Sequence, residues 1–421
     1  MLATILSSFK VPEIRKKLLF TAVILALYRL GSFIPVPGVS TEALKQLEDN
    51  YAGSNILGFL NLFTGGGLSR IALFALGIMP YITASIILQL LTVVSPSLEK
   101  LSKEGEVGQA RITQYTRYLT VGLSAAQAVG YVFLFRSQGQ SAGSPVFTSF
   151  NPGSVLLVVL CLTAGCVLLM WMGELITQRG IGNGISLMIF ASIVSGLPQG
   201  ISAWWTNPDP VFKVIMPFMA LGVIAAIVFI QEGQRRIPVQ YAKRVIGRRM
   251  SSGGQTYLPL RVNMAGVIPV IFAASIMAFP PTVGQLIPGA EGLATFFSPN
   301  GGAYIVGETI FIILFTYFYT AVTFNPVDQA DNLKKYGGFI PGVRPGRPTA
   351  EFLDRILARL TFPGALYLAA VAALPTILIN QTSANFYFGG TSILIVVGVA
   401  LDTMKQLEAQ LMMRNYEGFL K

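Results

Sequence analysis

The feature that most constrains this chain is a series of long apolar segments separated by polar ones. Ten segments come close to the roughly 18 residues with which a helix spans the hydrocarbon core of a bilayer. Of the 421 residues, 53% are hydrophobic and only 12% are charged, far fewer than in a soluble domain. We therefore predict an all-α polytopic membrane protein with ten transmembrane helices. The predicted spans are residues 18–34, 73–94, 118–135, 154–173, 184–203, 214–230, 263–281, 304–324, 358–377 and 387–402.

The positive charges alternate from one connection to the next. The amino terminus, every second connection and the tail together hold 25 of the 30 lysines and arginines, whereas the intervening connections hold three: Lys45, Arg70 and Arg136. Cytoplasmic loops of membrane proteins carry the excess of Lys and Arg. Both termini are then predicted to be cytoplasmic, which agrees with an even number of spans.

The ten spans divide into two sets of five. A set of five starts on one side of the membrane and ends on the other, so two sets in series have opposite orientations, as in an inverted repeat. A turn-rich connection at about residues 201–212 separates the fifth span from the sixth. We predict an N-terminal half, 1–205, and a C-terminal half, 206–421.

The chain lacks the residues that several kinds of catalytic and binding site need. The chain has no histidine and no GxxxxGK[ST] phosphate loop, and its spans carry no acidic pair at mid-depth. Cys161 and Cys166 lie on different sides of one span and are interpreted as packing residues rather than a redox pair. We predict no enzymatic activity, no cofactor and no metal site.

Two connections on the predicted cytoplasmic side are large and basic. Residues 231–262 hold seven Lys and Arg, interleaved with Val, Ile, Tyr and Leu, a pattern that indicates a β-hairpin with a basic face. Residues 325–357 are again basic and rich in turn residues. The first loop has more positive charge than orientation requires, which favours a docking surface for an anionic partner.

A short segment before the second span is apolar but broken by glycines. It reads NLFTGGGLSR from Asn61 to Arg70, and it is too weak to span a membrane by itself. A turn in an outer loop would explain Gly65, Gly66 and Gly67, but it would not explain the apolar content.

Six motifs distributed along the whole chain resemble those of the SecY family, the channel subunits of the bacterial Sec translocase. They are NLFTGGGLSR, GIMPYITASII, GIGNGIS, YLPLRVNMAGVIPVIFA, GVRPGRPT and FGGTSILIVV. The resemblance implies two inverted five-helix halves around an hourglass pore with a ring of apolar side chains at its waist. The residues that match this ring are Ile82, Ile86, Ile185, Ile189, Ile271 and Ile395.

The resemblance also assigns roles to the glycine-broken segment and to polar residues of four spans. Residues of about 56–70 match the family's plug, a short helix that re-enters the outer funnel and closes the pore; they are called the plug segment below. Its key residues are Leu60, Asn61, Leu62, Phe63, Thr64, Gly65, Gly66 and Gly67. The lateral gate lies between spans two and three on one side and seven and eight on the other, with Ser85, Gln89, Gln127 and Ser275 as its polar candidates.

The expected partners follow from the same resemblance. They are the membrane subunits SecE and SecG, the SecA ATPase, the ribosome, signal sequences, nascent polypeptides and the lipid bilayer. The partner-binding candidates are Arg236, Arg248, Arg249 and Arg344. The expected location is the bacterial plasma (inner) membrane.

Two functions stay open on the residues alone. One is a passive polypeptide channel driven by an external motor, and the other is an ion-coupled secondary transporter of small solutes. A nearly uncharged membrane interior and large basic loops favour the channel, because ion coupling needs ionisable or carbonyl-rich sites near the midplane.

Overall fold

The structure is a computed structural model, and helices make up most of what it describes. The described residues are 11–40, 61, 63–141, 145–206, 210–241, 245–246, 249–250, 255–286, 291–298, 301–382 and 390–418. The helices of the first half are α1 (Pro12–Gly31), α2 (Met79–Val94), α3 (Pro96–Lys103), α4 (Glu106–Ser141), α5 (Pro152–Arg179) and α6 (Gly184–Thr206). Those of the second half are α7 (Pro210–Glu232), α8 (Ile268–Met277), α9 (Phe279–Leu286), α10 (Glu291–Phe296), α11 (Gly302–Thr323), α12 (Pro326–Lys335), α13 (Arg347–Thr382) and α14 (Gly390–Gly418).

Each of the ten predicted spans overlaps a helix, but not every helix is long and apolar enough to cross a membrane. Within the described ranges six helices are long and apolar enough, or seven if the bent pair α2 and α3 is counted as one span. The predicted membrane-spanning, all-α fold is therefore confirmed, while the count of ten spans stays a prediction.

The seventh predicted span, 263–281, is shorter than expected. α8 has ten residues and stops at Met277, and α9 continues the chain from Phe279. The cause is Pro280 and Pro281, which have no N–H to donate to the carbonyls one turn earlier. Ten residues of helix rise only about 15 Å, half the thickness of the hydrocarbon core.

The second predicted span, 73–94, also has different ends. Its helix begins at Met79, where Pro80 occupies the first turn and needs no hydrogen-bond partner, and residues 64–78 form successive turns instead. At the other end the chain bends by 100° between α2 and α3 at Ser95 and Pro96.

The two halves of the chain repeat one order of helix packing. In the first half α2 packs on α4, α4 on α5 and α5 on α6, while α1 lies against α5 and α6. In the second half α8 packs on α11, α11 on α13 and α13 on α14, while α7 lies against α13 and α14. The halves meet where α6 contacts α14, α2 contacts α8 and α4 contacts α9.

The hairpin predicted in the first basic loop is present. Strand β1 (Gln234–Tyr241) pairs antiparallel with β4 (Gln255–Arg261), and the short strands β2 (Val245–Ile246) and β3 (Arg249–Met250) pair with each other between them. Ile237 and Val239 alternate with exposed residues and are buried, as expected for a sheet with one covered face.

The second basic loop is more ordered than its turn-rich sequence suggests. Its Pro326–Lys335 stretch is helix α12, started by the Asn325 side chain, which accepts a hydrogen bond from the Val327 amide. Strand β5 (Gly338–Phe339) then pairs with β1, which places the strands in the order β4-β1-β5. The two basic loops thus form one sheet.

Candidate pore, plug and gate

The six isoleucines predicted to form the ring all belong to the one extensive hydrophobic cluster that the described membrane helices share. They project from four helices: Ile82 and Ile86 from α2, Ile185 and Ile189 from α6, Ile271 from α8 and Ile395 from α14. All are buried in this cluster except Ile185, which is half-buried and packs against it. Residues four apart share one face of a helix, which explains how α2 and α6 each contribute a pair.

The described part of the plug segment is built from turns rather than from the short helix that the resemblance implies. Asn61 and Phe63 are helical, whereas residues 64–70 form turns; Leu60 and Leu62 lie outside the described residues. Gly65 and Gly66 have φ angles of 63° and 86°, a left-handed conformation that a right-handed helix cannot contain.

The plug segment is buried between helices. Phe63, Thr64, Gly65, Leu68 and Ser69 are all buried, and Phe63 and Leu68 belong to the same cluster as the isoleucines. Gly65 and Gly67 pack closely against neighbouring atoms, whereas Gly66 has open space around it.

The turns after the plug segment are packed just as tightly. The backbone of Leu73 passes so close to α5 that a Cβ on Gly165 would come within 2.0 Å of the Leu73 carbonyl oxygen. Only a glycine permits this approach. The stretch between the plug segment and α2 therefore packs against α5.

A cavity of about 220 Å³ lies where the two halves meet at the predicted lateral gate. Gln127 of α4 and Ser275 of α8 line it, together with Thr64 of the plug segment and Met79 of α2. The Ser275 hydroxyl donates to the Ile271 carbonyl over 2.7 Å and lies 3.7 Å from the Met79 sulfur. α2, α4 and α8 thus meet around one cavity, to which Gln127 and Ser275 contribute polar side chains.

Ser85 and Gln89, the other two gate candidates, are not among the residues that line this cavity. They lie one turn apart on α2, and Gln89 Nε2 donates to Ser85 Oγ over 3.4 Å. The buried Gln89 Oε1 has no hydrogen-bond partner. The structure therefore brings two of the four candidates together and leaves the other two on α2.

The basic candidates lie on the sheet and beside it. Arg236 is exposed on β1, and Arg344 is exposed in the loop between β5 and α13, where its carbonyl accepts a hydrogen bond from Thr349 over 2.8 Å. Arg249 lies in β3, and Arg248 lies outside the described residues. Among the described residues, no group of three Cys, Asp or Glu could hold a metal ion.

Sequence reasoning missed a set of contacts between α1 and the plug segment. Arg29 of α1 donates a hydrogen bond from Nη1 to the Gly65 carbonyl. A signal was available, because an arginine inside an apolar span is costly and is expected to face a polar partner. The sequence did not show which partner, since Gly65 lies 36 residues away.

Comparison with known proteins identifies the family. The SecY family model matches residues 72–404. The chain is 49% identical to the protein translocase subunit SecY of Streptomyces coelicolor and 48% identical to that of Mycobacterium tuberculosis H37Rv, each over the full length of both chains.

Solved structures agree on the fold. One described as a protein-conducting channel superposes with a TM-score of 0.65 at 23% identity, and Sec61 in the canine ribosome–channel complex superposes with 0.61 at 21%. Each alignment covers 93% of this chain and 91% of the other. Sequence identity this low supports a similarity of fold only, whereas the full-length relatives establish the family. The chain, a multi-span membrane protein, belongs to the SecY family of protein translocase subunits.

Proposed function

We propose that this chain is the pore-forming subunit of a protein-conducting channel. It passes unfolded secretory polypeptides across the plasma (inner) membrane and releases transmembrane segments sideways into lipid. In this proposal both termini are cytoplasmic, and residues 1–205 and 206–421 are the two halves around the pore. The helix packing order that recurs in the two halves supports this division.

The single observation that carries the proposal is that isoleucines from both halves, which we call the isoleucine cluster, are buried in one hydrophobic core. Ile82, Ile189, Ile271 and Ile395 come from helices of both halves, and all four are at most 5% exposed. A constriction lined by branched aliphatic side chains excludes water and ions when closed. It offers a passing polypeptide no polar site to bind, so chains of any sequence can move through.

Two neighbouring features support the same function. Phe63 and Leu68 of the plug segment belong to the same hydrophobic cluster, and the segment would close the pore from the outer side. The cavity that Gln127 and Ser275 line lies where α2 and α4 meet α8 and α9, and separation there would open a path from pore to lipid. A signal sequence that enters this cavity would replace contacts between the two halves with its own.

The partners in this proposal divide between the membrane and the basic sheet. SecE-type and SecG-type subunits would pack on lipid-facing helices, as the designation translocase subunit of the relatives suggests. The exposed Arg236 and Arg344 would contact a SecA-type ATPase. Arg248 and Arg249 would contact ribosomal RNA, because clustered guanidinium groups bind phosphate with strong salt dependence.

Reconstitution tests the proposal. The chain, with its SecE-type and SecG-type subunits, is placed in vesicles together with a SecA-type ATPase and a precursor that carries a signal sequence. We expect ATP-dependent protection of the precursor from added protease, and none for the same precursor without its signal. Proton- or sodium-driven uptake of a small solute by the chain without partners would favour the transporter instead.

A further inference from the structure

The turns of the plug segment form one compact unit whose polar groups bond to each other. Asn61 Oδ1 accepts from the Ser69 amide over 3.2 Å, and the Asn61 carbonyl accepts from the Gly66 amide over 3.0 Å. Thr64 Oγ1 donates to the Asn61 carbonyl and accepts from the Leu68 amide, each over 3.2 Å. Because these bonds lie within the unit, the unit can move without losing them.

The carbonyl of Gly65 points out of this unit and is held by α1. It accepts the hydrogen bond from Arg29 Nη1, and a charged donor makes such a bond stronger than one between neutral groups. The turn fits closely here: a Cβ on Gly65 would come within 2.9 Å of Tyr28 Oη and 3.4 Å of Ser195 Oγ. Tyr28 is itself positioned by a hydrogen bond to Ser192 of α6.

A second contact between the plug segment and α1 is made through the ring of Phe33, two residues after α1 ends. The Arg29 and Arg70 guanidinium carbons lie 4.7 Å and 4.4 Å from the centroid of the same Phe33 ring, within cation–π range. One arginine comes from α1 and the other from the plug segment. The ring therefore joins the two elements.

The chain just after the plug segment is fastened by its backbone. The Val36 amide donates to the Ile71 carbonyl over 3.0 Å, and the Leu73 amide donates to the Ile34 carbonyl over 2.9 Å. These paired bonds form a short antiparallel bridge with the loop that follows α1. Backbone bonds of this kind do not depend on which side chains are present.

We propose that Arg29 is a latch that holds the described part of the plug segment, residues 61 and 63–70, in the closed channel, and that this part leaves as one body about a pivot at Ile71–Leu73. The inference rests on the plug role proposed above. Opening breaks the bond from Arg29 to Gly65 while the bridge at the pivot keeps the unit attached. Arg29 is a positioning residue: it touches the plug and not the translocating chain.

The first test replaces the latch and measures resting ion conductance. The Arg29→Gln complex, reconstituted with its partner subunits, is expected to show an open fraction about tenfold higher or more, the value that a lost charged hydrogen bond implies. Arg136→Gln is the matched control. Arg136 lies on α4, and its guanidinium carbon is 3.9 Å from the centroid of the Phe150 ring, so the control likewise removes an arginine that stacks on a phenylalanine. We expect it to leave the conductance unchanged.

The second test leaves Arg29 in place and disturbs the turn. Gly65→Ala puts a Cβ against Tyr28, Arg29 Nη1 and Ser195, whereas Gly66→Ala puts one at a similar positive φ, where it meets nothing within 4 Å. Both variants strain the backbone, so the difference between them reports the contact with α1 and α6. We expect the Gly65 variant to raise conductance more than the Gly66 variant.

A double variant separates the latch from the plug role. If residues 61–69 are deleted, conductance should rise, and Arg29→Gln should then add nothing, because the group that it holds is gone. A deletion that leaves conductance unchanged would overturn the plug role. If the deletion raises conductance but Arg29→Gln matches Arg136→Gln and the two glycine variants match each other, the latch alone is wrong. A further rise in the deletion background would show that Arg29 acts on the fold of α1.

Discussion

Arg117 of α4 and Glu174 of α5 form a two-pronged ion pair. Arg117 Nη2 lies 2.6 Å from Glu174 Oε2, and Arg117 Nε donates to Glu174 Oε1 over 3.0 Å. The Glu174 side chain is only 13% exposed. Two parallel charged hydrogen bonds fix both distance and angle, so the pair ties α4 to α5.

Breaking this pair should destabilise the first half of the chain. Arg117→Gln or Glu174→Gln leaves one charge unpaired, and we expect a loss of about 1–3 kcal/mol of stability, measured as a lower thermal unfolding midpoint in detergent. Arg347→Gln is the control, because its partner is Glu351 and the two side chains are 91% and 63% exposed. Exposed pairs contribute little, so a drop of equal size in the control would contradict the assignment.

Polar residues in the isoleucine cluster should loosen the closed channel. Ile271→Asn or Ile395→Asn would hydrate the constriction, which should raise the resting ion leak and admit precursors with weak signal sequences. Ile310→Asn, at an outward-facing position of α11 that is 56% exposed, is the matched control. A normal leak and normal selectivity in both cluster variants would show that the ring is assigned to the wrong residues.

The plug segment should leave the cluster when a polypeptide occupies the pore. In a chain whose free Cys161 and Cys166 have been replaced, cysteines at Phe63 and Ile395 are expected to crosslink at rest. Both positions belong to the same buried cluster. A precursor arrested in the pore should abolish the crosslink, since the two cannot share that space. A crosslink that forms equally well in the occupied pore would mean that the segment is fixed.

The exposed loop between β5 and α13 should matter for the motor and not for the fold. Arg344→Glu is expected to reduce ATP-driven translocation about tenfold or more while the unfolding midpoint stays unchanged, because the side chain is exposed. Lys335→Glu on nearby α12 makes the same change of charge at another exposed position. If both variants translocate equally well, Arg344 has no special role.

Local patterns predicted most of the elements correctly. Apolar length marked the positions of all ten predicted spans, and alternation between β-forming and basic residues marked the hairpin of β1 and β4. The ends were less accurate: proline set the start of α2 at Met79 and the break after α8 at Met277. Hydropathy averages over a turn or more, so it does not register a single missing N–H.

The plug segment shows where local reasoning stops. Three glycines in a row indicated a turn, but not the hydrogen bonds with which Asn61, Thr64 and Ser69 complete the turns that the structure shows. These bonds join residues three to eight apart in an irregular backbone. No periodic pattern describes such a backbone, so its hydrogen bonds are visible only once it is folded.

The sequence by itself determined that this chain enters a membrane, where its long apolar helices lie and which connections carry the positive charge. These properties depend on composition over short stretches, and transfer free energies sum over such stretches. Only the tertiary structure decided which residues meet. It joined the two basic loops through β1 and β5, gathered isoleucines from four helices and placed Arg29 against Gly65. Contacts between distant parts of the chain depend on how all the helices pack together, and no short stretch of sequence contains that information.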